Sequence, residues 1–189
     1  MKSELAGPAS ERIAEAASAI VASLQAGGKL IVFGNGGSAA EAQHLTAELV
    51  GRYRADRKAL AAVALTTDSS ALTAIGNDFG FEQIFARQLE AIGNATDVAL
   101  AISTSGNSPN VLRALESSRK LGIVSIGLTG KAGGKLRDLV DLCLCAPSDL
   151  APRIQEVHTL IIHIIVGIVE NMLVGPDSFP GSTASNATL

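Results

Sequence analysis

The sequence predicts an α/β fold built on one five-stranded parallel sheet flanked by helices. Short apolar runs alternate with helix-period segments, the pattern that right-handed strand–helix–strand crossovers produce. Two of those runs, Lys29–Phe33 and Asp97–Ile102, end in turns of a shared design, Gly34-Asn35-Gly36-Gly37-Ser38 and Ser103-Thr104-Ser105-Gly106-Asn107-Ser108, and each turn opens a helical pattern. The 189 residues suit one domain with an ample core, and no linker interrupts it.

From the N-terminus, Ser10 reads as the N-cap of a helix to about Gln25, with Ile13, Ala17, Ile20, Val21 and Leu24 on its apolar face and Gly27-Gly28 as its stop. Strand one covers about 29–33, and the first turn opens a helix of about 38–53. Leu60–Leu65 is strand two. Helical segments of about 69–76 and 81–92 follow, parted by Gly76-Asn77-Asp78-Phe79-Gly80. Strand three is about 97–102. Ser108-Pro109 is an N-cap followed by proline at the first helical position, and that helix runs to about Lys120 before Gly122 closes it. Ile123–Leu128 is strand four, a short helix spans about 133–138, and strand five is about 140–145. Pro152 starts a long apolar helix to about Val174. The expected domain is thus residues 1–174, and Gly175–Leu189, rich in Gly, Pro, Ser and Thr, is expected to be a disordered tail.

Composition narrows the function. Hydrophobic residues make up 47% of the chain and charged residues 17%, and the apolar content is Ala, Ile, Leu and Val, with one Tyr and no Trp. That excess over an ordinary soluble domain points to burial between subunits, so a homo-oligomer is expected. A net charge of -3 with no basic stripe argues against nucleic acid and against an anionic membrane surface. No basic-then-apolar signal segment opens the chain. The most apolar stretch, Val157–Val169, is interrupted by His158, Thr159, His163 and Gly167 and falls short of the ~20 apolar residues of a membrane span. A cytoplasmic location is expected. Cys143 and Cys145 alternate on strand five, so they should share a face and pack as small buried groups, outside any disulfide framework or CxxC metal knuckle.

The two turns carry the first chemical signal. A strand–turn–helix unit leaves backbone N–H groups and hydroxyls at a helix N-terminus, where unsatisfied donors and the dipole attract an anion. Two such turns at strand C-ends face one crevice in an open α/β sheet, and Ser103, Thr104, Ser105 and Ser108 suit a terminal phosphate monoester. Gly34-x-Gly36-x-x-Ala39 also satisfies the dinucleotide fingerprint, but the confirming acidic residue is misplaced: Asp56 precedes strand two and Asp68 lies well beyond the expected spacing. A phosphorylated small molecule is the better ligand.

His44 and Glu48 sit four apart and share a helix face, as a metal-binding pair, a base with its orienter, or an exposed polar pair. The last helix adds Gln155, His158 and His163 in apolar surroundings. Gln155 and His163, eight apart, differ by about 80° in azimuth and ~12 Å in rise, so they reach one metal only by leaning together or with help from another chain. A histidine between Ile161-Ile162 and Ile164-Ile165 needs a partner if buried. His158 reads as structural.

The segment Gly34-Asn35-Gly36-Gly37-Ser38-Ala39-Ala40-Glu41-Ala42-Gln43-His44, with Ala47-Glu48-Leu49-Val50-Gly51-Arg52, resembles the sugar isomerase (SIS) fold and, within it, the phosphoheptose isomerases. Leu65-Thr66-Thr67-Asp68, Leu72–Asp78, Ser103–Asn110 and Pro152-Arg153-Ile154-Gln155-Glu156 are similar too, so the likeness spans about residues 10–174. The resemblance implies a single SIS domain whose N- and C-terminal helices contribute to oligomer packing. It implies an aldose–ketose isomerase turning sedoheptulose 7-phosphate into D-glycero-D-manno-heptose 7-phosphate, at the head of nucleotide-activated heptose synthesis for lipopolysaccharide or other surface glycans. It further implies a homotetramer with sites between subunits and one zinc per subunit on His44, Glu48, Gln155 and His163. Substrate contacts then fall on Asn35, Gly36, Gly37 and Ser38, on Asn77 and Asp78, on Ser103, Thr104, Ser105 and Ser108, and on Glu48 and Gln155. Moving a proton between C1 and C2 needs a base and an acid, and Glu48 and His163 are the titratable pair for those roles.

This chain departs from the family pattern at Ala151, often Thr, and at Glu41, frequently Asp, and it has little sequence ahead of Ser10. The competing reading is a non-catalytic SIS protein that binds a partner, such as the replication-initiator-binding relatives. They share the first turn and the Gln-bearing segment but not His163, which favours the enzyme. A phosphosugar-sensing regulator would carry a fused DNA-binding unit, for which the chain has no basic region.

Overall fold

The computed structural model describes residues 7–130 and 132–175. In chain order it contains α1 (Pro8–Gln25), β1 (Leu30–Gly34), α2 (Gly37–Val50), β2 (Ala62–Ala64), α3 (Ser69–Phe79), α4 (Ile84–Ile92), β3 (Val98–Ser103), α5 (Pro109–Lys120), β4 (Val124–Thr129), β5 (Leu142–Cys145) and α6 (Ala151–Val174), with 3-10 turns at Phe81–Gln83 and Gly134–Asp138. All strand pairs are parallel, in the order β2-β1-β3-β4-β5. The chain moves from β1 to one side and returns to β3 on the other, so the loops after these neighbouring strands part and leave a crevice at their C-ends.

Alternation along the strands assigns the layers. Leu30 and Val32 of β1, with Leu100 and Ile102 of β3, pack against α1, α2 and α6. Ile31 and Phe33, with Ala99 and Ala101, pack against α4 and α5 on the opposite face. Burial on both faces is what an all-parallel sheet requires, and every residue of β1 and β3 is buried.

Helix α6 is 24 residues long and apolar enough by composition to cross a membrane, longer than the Val157–Val169 stretch suggests. Its buried face includes Ile154, Val157, Ile161, Ile162, Ile165 and Val169 within the core, together with fully buried His158 and Glu170. It is the central helix of a folded domain.

Several expected boundaries move for local reasons. Gly7, at φ 69°, precedes α1, and Ser10 lies inside the first turn with its hydroxyl donating to the Gly7 carbonyl. Gly76 does not end α3; a glycine inside a helix costs about 1 kcal/mol without stopping it, and the helix continues until Gly80 at φ 91°. Asn77 and Asp78 therefore ride its last turn. The second helix ends at Val50 rather than near Tyr53, and β2 keeps only three residues. Cys143 and Cys145 do share a face, but as half-buried groups in mutual contact, not as buried packing. Of the expected tail, Pro176–Leu189 lies outside the described residues.

Candidate active site

The first turn leaves β1 through Gly34, where an added Cβ would lie 2.7 Å from the Ile102 carbonyl oxygen; only glycine lets the turn lie so close to β3. Gly36 takes φ 56° and precedes α2 without any side-chain cap; the Ser38 and Ala39 N–H groups donate to the Asn35 and Gly36 carbonyls, which leaves those of Gly36 and Gly37 as the open donors at the helix start. The second turn is equally tight: Gly106, at φ 63°, is pressed against the 133–134 backbone, and Leu136 N–H donates to its carbonyl. Ser108 precedes α5 without capping it. Its hydroxyl instead pairs with that of Ser103 at 3.1 Å.

The two turns are tied to each other. Asn35 and Asn110 exchange two amide hydrogen bonds, each 2.8 Å, across the crevice. The Asn35 side chain is thereby engaged within the protein, and its carbonyl accepts from the Ser38 N–H. Asn35 and Ser108 line a cleft of about 420 Å³ with Phe81 and Glu82. Thr104 and Ser105 line a second cleft, of about 170 Å³, with Gly130, Gly133 and Ser148. Asn77 and Asp78 bond to one another at the exposed end of α3.

Gln155, on the first turns of α6, lies over Gly37; a Cβ there would collide with its amide. Further along the same two helices His44 meets His163, Nε2 to Nε2 at 2.9 Å with the rings edge to face. One ring carries the proton of that bond and the other accepts it. Glu48 Oε1 stands 3.8 Å from His44 Nε2. The other side of His163 stacks on Tyr53, ring centroids 5.7 Å apart. His44 and Glu48 of α2 thus converge with His163 of α6, which lies 119 and 115 residues further along the chain.

A buried brace sets the convergence. Glu170, near the end of α6, accepts from the backbone N–H groups of Tyr53, Arg54 and Ala55 and from Arg57 Nε at 3.0 Å. Arg57 in turn donates to the Glu48 and Leu49 carbonyls at the C-terminus of α2. His158, fully buried, donates Nε2–H to the Thr129 carbonyl, while its Nδ1 faces Glu41 at 3.6 Å. Tyr53, Asn110, Arg57 and Glu170 went unread in the sequence as site residues. The available signals were a lone tyrosine after the Glu48 helix and an acidic residue inside an apolar helix.

One ligand atom each from His44, Glu48 and His163 lie within 4.8 Å of one another. Two imidazoles and a carboxylate are a donor set that suits zinc, three protein ligands being usual where a position stays open for chemistry. Nitrogens on one tetrahedral zinc sit about 3.3 Å apart, so the 2.9 Å pair needs only a small opening of the rings. The residues fit the metal.

The fold and the site define a SIS-domain protein: a family model described as "SIS domain" matches residues 2–130. Within that class the chain belongs to the phosphoheptose isomerase family. It is 53% identical over 167 residues to the phosphoheptose isomerase of Rhodospirillum rubrum, covering 88% of this chain and 89% of the relative. With that of Paramagnetospirillum magneticum it shares 59% over 152 residues, 80% of this chain and 79% of the other. A solved phosphoheptose isomerase from Neisseria gonorrhoeae matches with a TM-score of 0.85 and 44% identity, over 90% and 91% of the two chains.

Proposed function

We propose that this protein is an aldose–ketose isomerase converting sedoheptulose 7-phosphate to D-glycero-D-manno-heptose 7-phosphate, the step that commits the sugar to nucleotide-activated heptose. The observation that carries the reading is the meeting of Glu48 from α2 with the His44–His163 pair beside it. Spacing supports the substrate. Gly37, at the phosphate end, and His44 are seven residues apart on one helix, about 10 Å of rise. Eight bonds separate C1 from phosphorus in a heptulose 7-phosphate, which at about 1.2 Å per bond in an extended chain is also roughly 10 Å.

In this reading the backbone N–H groups of Gly36 and Gly37 and the hydroxyls of Ser38, Ser103, Thr104, Ser105 and Ser108 hold the phosphate. Asn77, Asp78 and Gln155 contact the sugar hydroxyls. Glu48 takes the proton from C1 and His163 protonates O2, giving an enediol; reversing the roles at O1 and C2 completes the aldose. Tyr53 keeps the His163 ring in register by stacking. Zinc on His44, Glu48 and His163 would supply a Lewis acid to the carbonyl, and Gln155, whose amide lies over Gly37 within one chain, would complete the set only from a neighbouring subunit of the assembly.

The proposed assembly is a cytoplasmic homotetramer. Association of further copies is supported by Leu160, Ile164 and Ile168, partly buried on α6, and by Phe81, exposed in the turn that follows α3. The test of function is incubation with sedoheptulose 7-phosphate followed by proton NMR. An aldoheptose anomeric signal is expected, and its absence from fully folded, zinc-supplied protein rejects the assignment.

A further inference from the structure

The free edge of the sheet carries a constellation that the isomerase chemistry does not use. On β5 the Cys143 and Cys145 sulfurs lie 3.6 Å apart, both half-buried. Arg137, from the 3-10 turn Gly134–Asp138, donates Nη2–H to Cys145 Sγ at 3.3 Å. Arg12 reaches in from α1 and donates to the Cys143 carbonyl at 3.0 Å. These groups open into a cavity of about 470 Å³ lined by Ala9, Arg12, Ile13, Arg137, Cys143 and Cys145. Asp141 also borders it, but its carboxylate is turned to Ser125 on β4, accepting from the backbone N–H and the hydroxyl at 2.7 Å each. Among the described residues the thiols thus face two cations, and the one carboxylate in the lining is engaged with Ser125.

We propose that Cys143 and Cys145 form an oxidisable thiol pair, a covalent-modification site for hydroperoxides in which Cys145 attacks and Cys143 resolves. The thiolate is the reactive form of cysteine, and neighbouring donors and cations favour it. The Cys143 S–H donating to Cys145, then the Arg137 guanidinium, bring the Cys145 thiol down to about 6, while the same bond and burial push Cys143 up. The Cys145 thiolate attacks one peroxide oxygen and the O–O bond breaks, releasing hydroxide, or an alkoxide from an organic peroxide. Cys145 becomes a sulfenic acid. The Cys143 sulfur then displaces that hydroxyl, which leaves as water with the Cys143 proton. Both sulfurs are oxidised by one electron each and the peroxide takes up the two. Residues two apart on a strand have Cα atoms about 6.6 Å apart, near the upper limit for a disulfide, so the product is readily reversed by added thiol.

The test uses the full, reduced chain and hydrogen peroxide. Peptide mass spectrometry after iodoacetamide should show both thiols lost together as a Cys143–Cys145 disulfide and restored by dithiothreitol. Cys143→Ser should trap a dimedone adduct at Cys145, whereas Cys145→Ser should leave Cys143 alkylatable. At pH 6 Cys145 should alkylate about tenfold faster than free cysteine, its thiolate gain outweighing lower intrinsic nucleophilicity, and Arg137→Gln should lower that advantage. Wild-type protein that keeps both thiols alkylatable after peroxide, or Cys143→Ser that yields no adduct, overturns the proposal. Neither cysteine belongs to the proposed isomerase site, so the result stands apart from that reading.

Discussion

Arg57 and Glu170 meet at 3.0 Å with side chains 2% and 0% exposed, and this pair locks the helix carrying His163 to the end of the helix carrying His44 and Glu48. Removing the carboxylate strands a buried guanidinium and three backbone donors. Glu170→Ala should therefore cost about 3–5 kcal/mol in urea unfolding. A loss under 1 kcal/mol would mean that the brace does not hold the two helices.

Gly37→Ala separates the site from the fold. The new methyl would meet the far end of the flexible Gln155 side chain, which can swing aside, so stability should change little. Displacing Gln155 at the phosphate end should lower kcat/KM by about tenfold or more, a misplacement effect in the range positioning residues show. Unchanged kinetics would remove Gln155 and the first turn from the substrate site.

Glu48→Gln and His163→Ala should each lower kcat by roughly 10²- to 10⁴-fold, the usual weight of a general base or acid. Both positions are partly exposed, so the melting temperature should stay close to that of the parent. Full turnover by either variant takes that residue out of the acid–base pair.

Metal analysis addresses the donor set without reference to turnover. Protein supplied with zinc and then dialysed should retain about one ion per chain, and His44→Ala or His163→Ala should lose it. Gln155→Ala tells whether the amide is a ligand: retention of zinc would confine the set to the two histidines and Glu48.

Much of this was legible in residue order. The five strands, the six main helices and both turns follow from hydrophobic periodicity and glycine placement, because a sheet buried on both faces demands continuous apolar runs. Boundaries moved where a glycine proved tolerable, as at Gly76, or where proline at position 8 fixed the helix start ahead of Ser10. The convergence of His44 with His163 was not legible from helix geometry alone, which left Gln155 and His163 apart; it depends on how α2 and α6 lie together. The Asn35–Asn110 exchange and the Arg57–Glu170 brace were invisible for the same reason: each joins residues more than 70 apart in sequence. The cysteines were read as buried because alternation gives a shared face but not which edge of the sheet stays open.

The central claim is that Glu48 and His163 move a proton between two carbons of one ketose. The fate of the C1 hydrogen tests it most directly. Sedoheptulose 7-phosphate turned over in heavy water, with the product read by proton NMR, should give an aldoheptose 7-phosphate carrying deuterium at C2, and Glu48→Gln should stop that incorporation. Undiminished incorporation by Glu48→Gln would contradict it.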